Sequence, residues 1–271
     1  MGALPESHPA PVALVFDYEA VWVSTIQPQG LDFNQVELCF RWYEAVRRLG
    51  LDVDIVAPGA DLSGYRVVIV PSLPIVSAAA QQALSGTTAK VLFGPRSGSK
   101  TAGFSIPEEL PPGPLQRLIP MRVAQVASLR PGLVHGVFGP GIEGRVIRWR
   151  EWVETKADVL AHFSDGTPAL VRAGSHYYLA GWPDSDLLRA ALLRLLEGLR
   201  GLRITELPPA VRLRRRGYLM FAFNYGDSPW AAPESNSEHY RVGGPVVGPQ
   251  DVACWSLAAV GRADERPILI A

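Results

Sequence analysis

Cysteine is nearly missing from this chain: its 271 residues include Cys39 and Cys254 and no others. Two thiols so far apart, neither with a partner at metal-ligand spacing, make no disulfide framework and no zinc site. Cys39 falls in a stretch read as helix, where a buried thiol acts as a small hydrophobe. Lysine is scarce too. Of 26 basic residues only Lys90, Lys100 and Lys156 are lysines. The remainder is arginine, which holds its charge and pairs bidentately with carboxylates, although genome base composition gives the same bias. Net charge is absent, with 26 basic residues against 26 acidic ones. No global field draws nucleic acid or an anionic membrane, and neither is expected as a partner. No apolar run approaches the ~20 residues that span a bilayer. The opening MGALPESHPA has no basic or apolar region of a signal peptide, so a cytoplasmic protein is expected. There is no G-x-G-x-x-G, no Walker loop and no internal repeat, and no cofactor is expected.

What is present is ordinary globular material. At 48% hydrophobic and 19% charged residues, the chain can bury a core and has room for one large domain and one small one. From Pro11 the pattern alternates. Val12 to Phe16 is a short apolar run typical of a strand buried on both faces. A helix is predicted from about Leu31 to Leu49, stopped by Gly50. Strands follow at Val53–Val56, Val67–Val70 and Lys90–Phe93, with a short helix capped by Ser77 before the last. This order predicts a mostly parallel sheet with helices on both faces, whose ligand crevice lies in the loops after Phe16, Val56, Val70 and Phe93.

Residues 94–120 read as a long Gly/Pro/Ser loop, of the length that is usually functional or interfacial. β-type alternation then runs from Arg122 to Val171, with Asp165-Gly166 as a hairpin turn, and His176 to Ala180 is another strand. Asp184 to Asp186 can cap a helix over Leu187 to Leu199, ended by Gly201. Beyond it, Leu213, Tyr218, Met220, Phe221, Phe223 and Tyr225 lie on short strands. The domain reading is a tail at 1–10, an α/β domain at 11–201 and a small antiparallel β-domain at 202–271.

Several residue groups invite a chemical reading. Asp17 and Glu19 flank Tyr18 just past the first strand, and in extended chain their carboxylates point the same way, about 7 Å apart. Glycosidases use carboxylates roughly 5 to 10 Å apart, but from elements facing each other across the sugar, so a strand-end pair binding backbone or arginine is the plainer reading. Gly94-Pro95-Arg96-Ser97-Gly98 follows a strand as a nucleophile elbow would. Its apex is Arg96, which cannot attack, and Ser97 is one residue off with no histidine near it in sequence. His8, His135, His162, His176 and His239 are scattered singly, so no metal site is expected. His162 and His176 fall on strands that can be adjacent, where hairpin packing accounts for them. Arg212, Arg214, Arg215 and Arg216 make an arginine-rich strand, read as a solvated edge or a patch for a neighbouring subunit's acidic surface. Of the tryptophans, Trp22 stands apart because it follows the first strand, where a crevice or interface would be.

At Val12 to Trp22 (VALVFDYEAVW) the sequence resembles the trimerisation domain of family 42 glycoside hydrolases, the β-galactosidases. The resemblance continues through Ile26-Gln27-Pro28-Gln29, Arg47 to Val56, Val70 to Pro74, Leu92 to Thr101 and Leu110 to Gln116. It extends to Trp149-Arg150-Glu151-Trp152-Val153-Glu154 and Phe221 to Gly226. It implies a middle domain of class I glutamine amidotransferase-like (flavodoxin-like) fold followed by a small antiparallel β-domain. It further implies a homotrimer in which this domain can close a neighbour's active-site mouth. The catalytic barrel, with its glutamates and the zinc-binding cysteines of some members, would precede this chain, in cis or as a separate chain. No catalytic residue and no metal ligand therefore maps here, and galactosides are expected only through the complete enzyme. Asp17, Glu19, Trp22 and Arg96 are the candidates for an interface or active-site rim. The alternatives are a stand-alone carbohydrate-binding module and an amidotransferase-like hydrolase.

Overall fold

The computed structural model describes residues 9–28, 30 and 32–257. Most of the expected tail at 1–10, with His8, lies outside them, as do Gln29, Leu31 at the start of the expected helix, and residues 258–271 of the expected β-domain. The described residues divide into two compact units, Val12–Tyr43 with Asp54–Glu197, and residues 9–11 with Glu44–Val53 and Gly198 onward.

The larger unit begins with strand β1 (Val12–Val15), all four residues buried, and helix α1 (Tyr18–Ile26). Helix α2 (Gln35–Arg48) follows; its residues up to Tyr43 belong to this unit, with Leu38, Cys39 and Trp42 buried. It starts later than the apolar stripe predicts, because Asn34 Oδ1 takes the Glu37 N–H at 2.9 Å and caps it there. Next come β2 (Val53–Val56), β3 (Val67–Val70), α3 (Ala78–Gly86) and β4 (Lys90–Phe93). Ser77 caps α3 by accepting the Ala80 N–H at 3.1 Å, as its sequence predicts. A 3₁₀ turn (Gly113–Arg117) interrupts the long segment after β4. The β-rich stretch comprises β5 (Met121–Ser128), β6 (Val134–Gly139), β7 (Ile142–Thr155), β8 (Asp158–Phe163), β9 (Pro168–Ala173), β10 (His176–Leu179) and β11 (Gly181–Pro183). Helix α4 (Ser185–Leu196) then buries seven of its residues under an Asp184 cap, and Gly198 at φ 73° follows its end, earlier than Gly201.

Among the described residues these strands form one 11-stranded sheet, in the order β11-β7-β6-β8-β9-β10-β4-β3-β1-β2 with β5 on β7. Neighbours β1, β3, β4 and β10 are parallel. From β10 outward the pairs are antiparallel. The expectation of a mostly parallel sheet is thus corrected to a mixed one. Tight connections at Gly141, Gly166 and Gly174, all at positive φ, allow hairpins, whereas a parallel neighbour needs a long crossover. Strands β8 and β10 both pair with β9, so His162 and His176 are not on adjacent strands.

The smaller unit is antiparallel: β12 (Val211–Arg216), β13 (Leu219–Asn224), β15 (Tyr240–Val242) and β17 (Asp251–Ser256) order as β12-β13-β17-β15, with β14 (Trp230–Ala231) on β16 (Val246–Val247). Its core gathers Leu207, Val211, Leu213, Ala222, Ala253 and Trp255. Strand β12 is an edge whose Val211 and Leu213 point inward while Arg214, Arg215 and Arg216 are exposed. Asp52 accepts from Arg214 Nη1 at 3.1 Å and from the Arg215 backbone at 3.2 Å. No described helix is long and apolar enough to cross a membrane.

Candidate functional site

Two places hold the candidate residues. The first is α1. Asp17 does not stand beside Glu19 on extended chain: it is the N-cap of a helix, and its Oδ1 accepts the Glu19 N–H at 3.0 Å. The extended-chain geometry is thereby corrected, while the plainer reading of an acid binding backbone holds for Asp17; Glu19 lies in the first helical turn, where a negative charge suits the helix dipole. Trp22 belongs to the same helix and not to a loop. Tyr18, Trp22 and Ile26 recur every four residues and are 70%, 60% and 66% exposed. Residues at that spacing share one helix face, so α1 presents an apolar stripe outward while Ala20 and Val23 are buried.

The second place is the turn after β4. Arg96 adopts φ 65°, the left-handed conformation of an elbow apex. The flanking glycines are demanded by close approach. A Cβ on Gly94 would lie 2.1 Å from the Pro71 carbonyl oxygen, and one on Gly98, at φ +63°, 1.8 Å from that of Pro112. Ser97 is fully buried, and its hydroxyl donates to Gly94 O at 2.9 Å and accepts the Leu73 N–H at 3.2 Å. The hydroxyl is a brace for the turn.

Arg96 does not project from a rim. It is 3% exposed and packs its guanidinium over the rings of Phe33 at 4.8 Å and Trp149 at 5.6 Å. Among the described residues, its ring contacts and its backbone N–H go to Phe33, Trp149 and Glu151 and not to Asp17, Glu19 or Trp22. Beneath Arg96 lies Glu151, whose role no sequence motif marks. Glu151 Oε1 accepts the Arg96 N–H at 2.8 Å and Trp149 Nε1–H at 3.1 Å, and Oε2 accepts the Tyr178 hydroxyl at 2.7 Å. Burial raises the Glu151 carboxyl above its ordinary value, against the hydrogen bonds from Tyr178, Arg96 and Trp149. Burial likewise brings Arg96 down to about 10, with the Glu151 charge opposing the shift, so it stays cationic at neutral pH. The available signal for Glu151 was its register: it shares alternation on β7 with Trp149 and Val153, both buried.

Arg150 beside it is another buried cation. Its Nη2 donates to Asp165 Oδ2 at 2.5 Å and Thr167 Oγ1 at 2.8 Å, and its guanidinium lies over Trp152 and Phe163. His135 contacts the same guanidinium. Cys39 and Cys254 are both free and buried, and burial pushes the Cys39 thiol up to about 12. Among the described residues no cluster of histidine, cysteine and carboxylate has metal-binding geometry.

Comparison with known proteins places these features. Residues 10–202 match the β-galactosidase trimerisation domain. A β-galactosidase BgaA from a Thermus species is 51% identical over 256 residues, which cover 94% of this chain and 40% of that protein. The β-galactosidase structure from the psychrophilic Marinomonas ef1 superposes with a TM-score of 0.88 at 38% identity, over 94% of this chain and 38% of that one. The enzyme of the haloarchaeon Halorubrum lacusprofundi gives 0.85 at 34% identity, over 93% and 40%. The chain spans about 40% of the length of these relatives. Sequence similarity along nearly the whole chain and a shared fold agree: the chain belongs to the family 42 β-galactosidases, in the region of their trimerisation domain.

Proposed function

We propose that this chain is the self-association region of a cytoplasmic β-galactosidase that, in complete form, hydrolyses terminal β-D-galactosides as a homotrimer. On this reading the chain supplies no catalytic residue, and the barrel that carries the chemistry comes in cis or from another chain. Residues 11–201 are its amidotransferase-like (flavodoxin-like) domain, a reading supported by the strand order β2-β1-β3-β4-β10 along one part of the sheet. Residues 202–271 are its small β-domain. Free, buried cysteines suit a reducing compartment.

The observation that carries the proposal is the outward stripe Tyr18–Trp22–Ile26. Three large apolar side chains on one helix face, each more than half exposed, are the signature of a surface that a partner covers. In a homotrimer the partner is a second copy of the same helix or of the surface beside it. Asp17 and Glu19, at the start of that helix, would then stand near a neighbour's active-site mouth. Light scattering on the size-exclusion peak tests this. The chain is expected to elute at three times its own mass, and Trp22→Glu is expected to shift it to the monomer with an unchanged circular dichroism spectrum. Removing a central aromatic anchor costs about 2 kcal/mol or more per interface. A chain that is strictly monomeric at hundreds of micromolar rules out autonomous trimerisation.

The rival readings gain little from the geometry. Trp42, Trp149, Trp182 and Trp255 are buried, so a sugar-binding module would rest on few ring faces. The Ser97 hydroxyl is engaged by backbone at both ends, which speaks against a hydrolase built on the elbow.

A further inference from the structure

The turn after β4 borders a cavity of about 180 Å³ within the larger unit. Arg96, Lys100 and Ser99 line one part of it, and Ile106, Leu110 and Trp149 are among its apolar walls. Ile106 is largely exposed, so the cavity reaches the surface beside it.

The polar part of the lining is incompletely satisfied. Arg96 Nη2 and Ser99 Oγ are both buried and have no hydrogen-bond partner among the described residues. A guanidinium carries five N–H donors and a permanent charge, and burying it without an acceptor is costly. Glu151 is the nearest countercharge, but its oxygens are committed to the Arg96 backbone, Trp149 and Tyr178. The guanidinium instead rests on ring faces. Lys100 Nζ donates to the Phe104 carbonyl at 3.2 Å, and burial, followed by the Arg96 charge, disfavours its protonated form; both cations line one small space.

We propose that this cavity is a binding site for a small organic monocarboxylate. Its carboxylate would accept from the Arg96 guanidinium and Ser99, with Lys100 adding charge, and its short apolar tail would pack against Ile106, Leu110 and Trp149. A single charge fits better than two because the Glu151 carboxyl stands in the same wall and would oppose a dianion. The apolar walls favour a carbon tail over a bare inorganic ion. This inference does not depend on the oligomeric state.

Isobutyrate, its neutral isostere isobutyramide, and inorganic phosphate are the probes, titrated into the whole chain by calorimetry with thermal unfolding as a second readout. Isobutyrate is expected to bind at millimolar concentration and to raise the unfolding temperature with dose. Losing the charged hydrogen bonds should cost isobutyramide about tenfold or more in affinity. Arg96→Gln is expected to abolish binding. Should that buried variant fail to fold, Lys100→Met weakens the charge and Ile106→Trp obstructs the opening, both at positions that tolerate change. Each is expected to weaken isobutyrate several-fold. Absence of isobutyrate binding up to about 50 mM overturns the site. So does equal binding of the amide, tighter binding of phosphate, or affinity unmoved by both Lys100→Met and Ile106→Trp.

Discussion

Glu151 spends both carboxylate oxygens inside the larger unit, on three donors, and yet burial still raises its proton affinity. The consequence for stability has a definite sign. In the unfolded chain the carboxyl titrates at its ordinary value near 4.5; in the fold it titrates higher. Between the two, the folded chain holds a proton that the unfolded chain has released, so stability falls as pH rises through that window and is fully present below it. Glu151→Gln removes the titration while keeping the contacts, because the amide oxygen can accept from Arg96 and Trp149 and its nitrogen can donate to Tyr178. Urea unfolding at a series of pH values is expected to show wild type losing stability relative to the variant as pH rises from 4.5. The difference is about 1.4 kcal/mol for each tenfold change in proton affinity. Parallel curves for the two proteins would refute it. Residues of this kind were the least legible in the sequence. A glutamate in an alternating strand looks like a solvent-facing residue, and only the fold brings Tyr178, from a strand that β7 does not pair with, to its carboxylate. Arg96 was legible as the apex of an elbow without chemistry, because the glycines on either side mark the turn. Its burial was not, since an arginine in a long loop carries no signal of the rings that will cover it.

Elements divide along the same line. Val67–Val70 and Lys90–Phe93 were legible as strands because three or four consecutive apolar residues between turn signals have few other uses. Helix α4 was legible because its leucines recur at helical spacing behind an aspartate. Helix α1 was missed. Its apolar residues lie on both faces, so periodicity is weak, and Asp17 reads as a strand-end acid binding backbone and not as the cap of a helix. The antiparallel extension was legible as strands, but its union with the parallel strands in one sheet depends on long-range pairing of β10 with β4. The Asp184 cap on α4 gives an element-scale prediction. Its Oδ1 accepts the Leu187 N–H at 2.9 Å and the Arg145 N–H at 3.1 Å, while Oδ2 accepts from Arg145 Nε at 2.9 Å. Asp184→Ala is expected to cost about 1–2 kcal/mol in chemical denaturation. Asp184→Asn, which keeps the cap and loses an exposed ion pair, is expected to cost less than about 1 kcal/mol. An alanine variant within experimental error of wild type would show that the cap contributes nothing.

For the whole molecule, a formal net charge of zero leaves association to local surfaces, and two of them compete. The arginine edge β12 offers charge, but Asp52 already occupies Arg214 and the Arg215 backbone, and Arg215 Nε donates to Gly217 O at 2.9 Å. The α1 stripe offers apolar area, with the Tyr18 ring set edge-on to Phe16 at 5.1 Å and Trp22 and Ile26 largely exposed. The two surfaces differ in their response to salt. Contacts between exposed charges are screened as the Debye length falls from about 10 Å at 0.1 M to about 3 Å at 1 M, whereas apolar burial is unaffected or strengthened. Sedimentation equilibrium at low and high sodium chloride is therefore expected to give the same trimer constant within about twofold. On the proposed self-association, which only the folded chain can make, the unfolding temperature is expected to rise with protein concentration at both salts. A trimer constant that collapses at high salt would move the interface from α1 to the arginine edge, and Trp22→Glu would then leave the trimer intact.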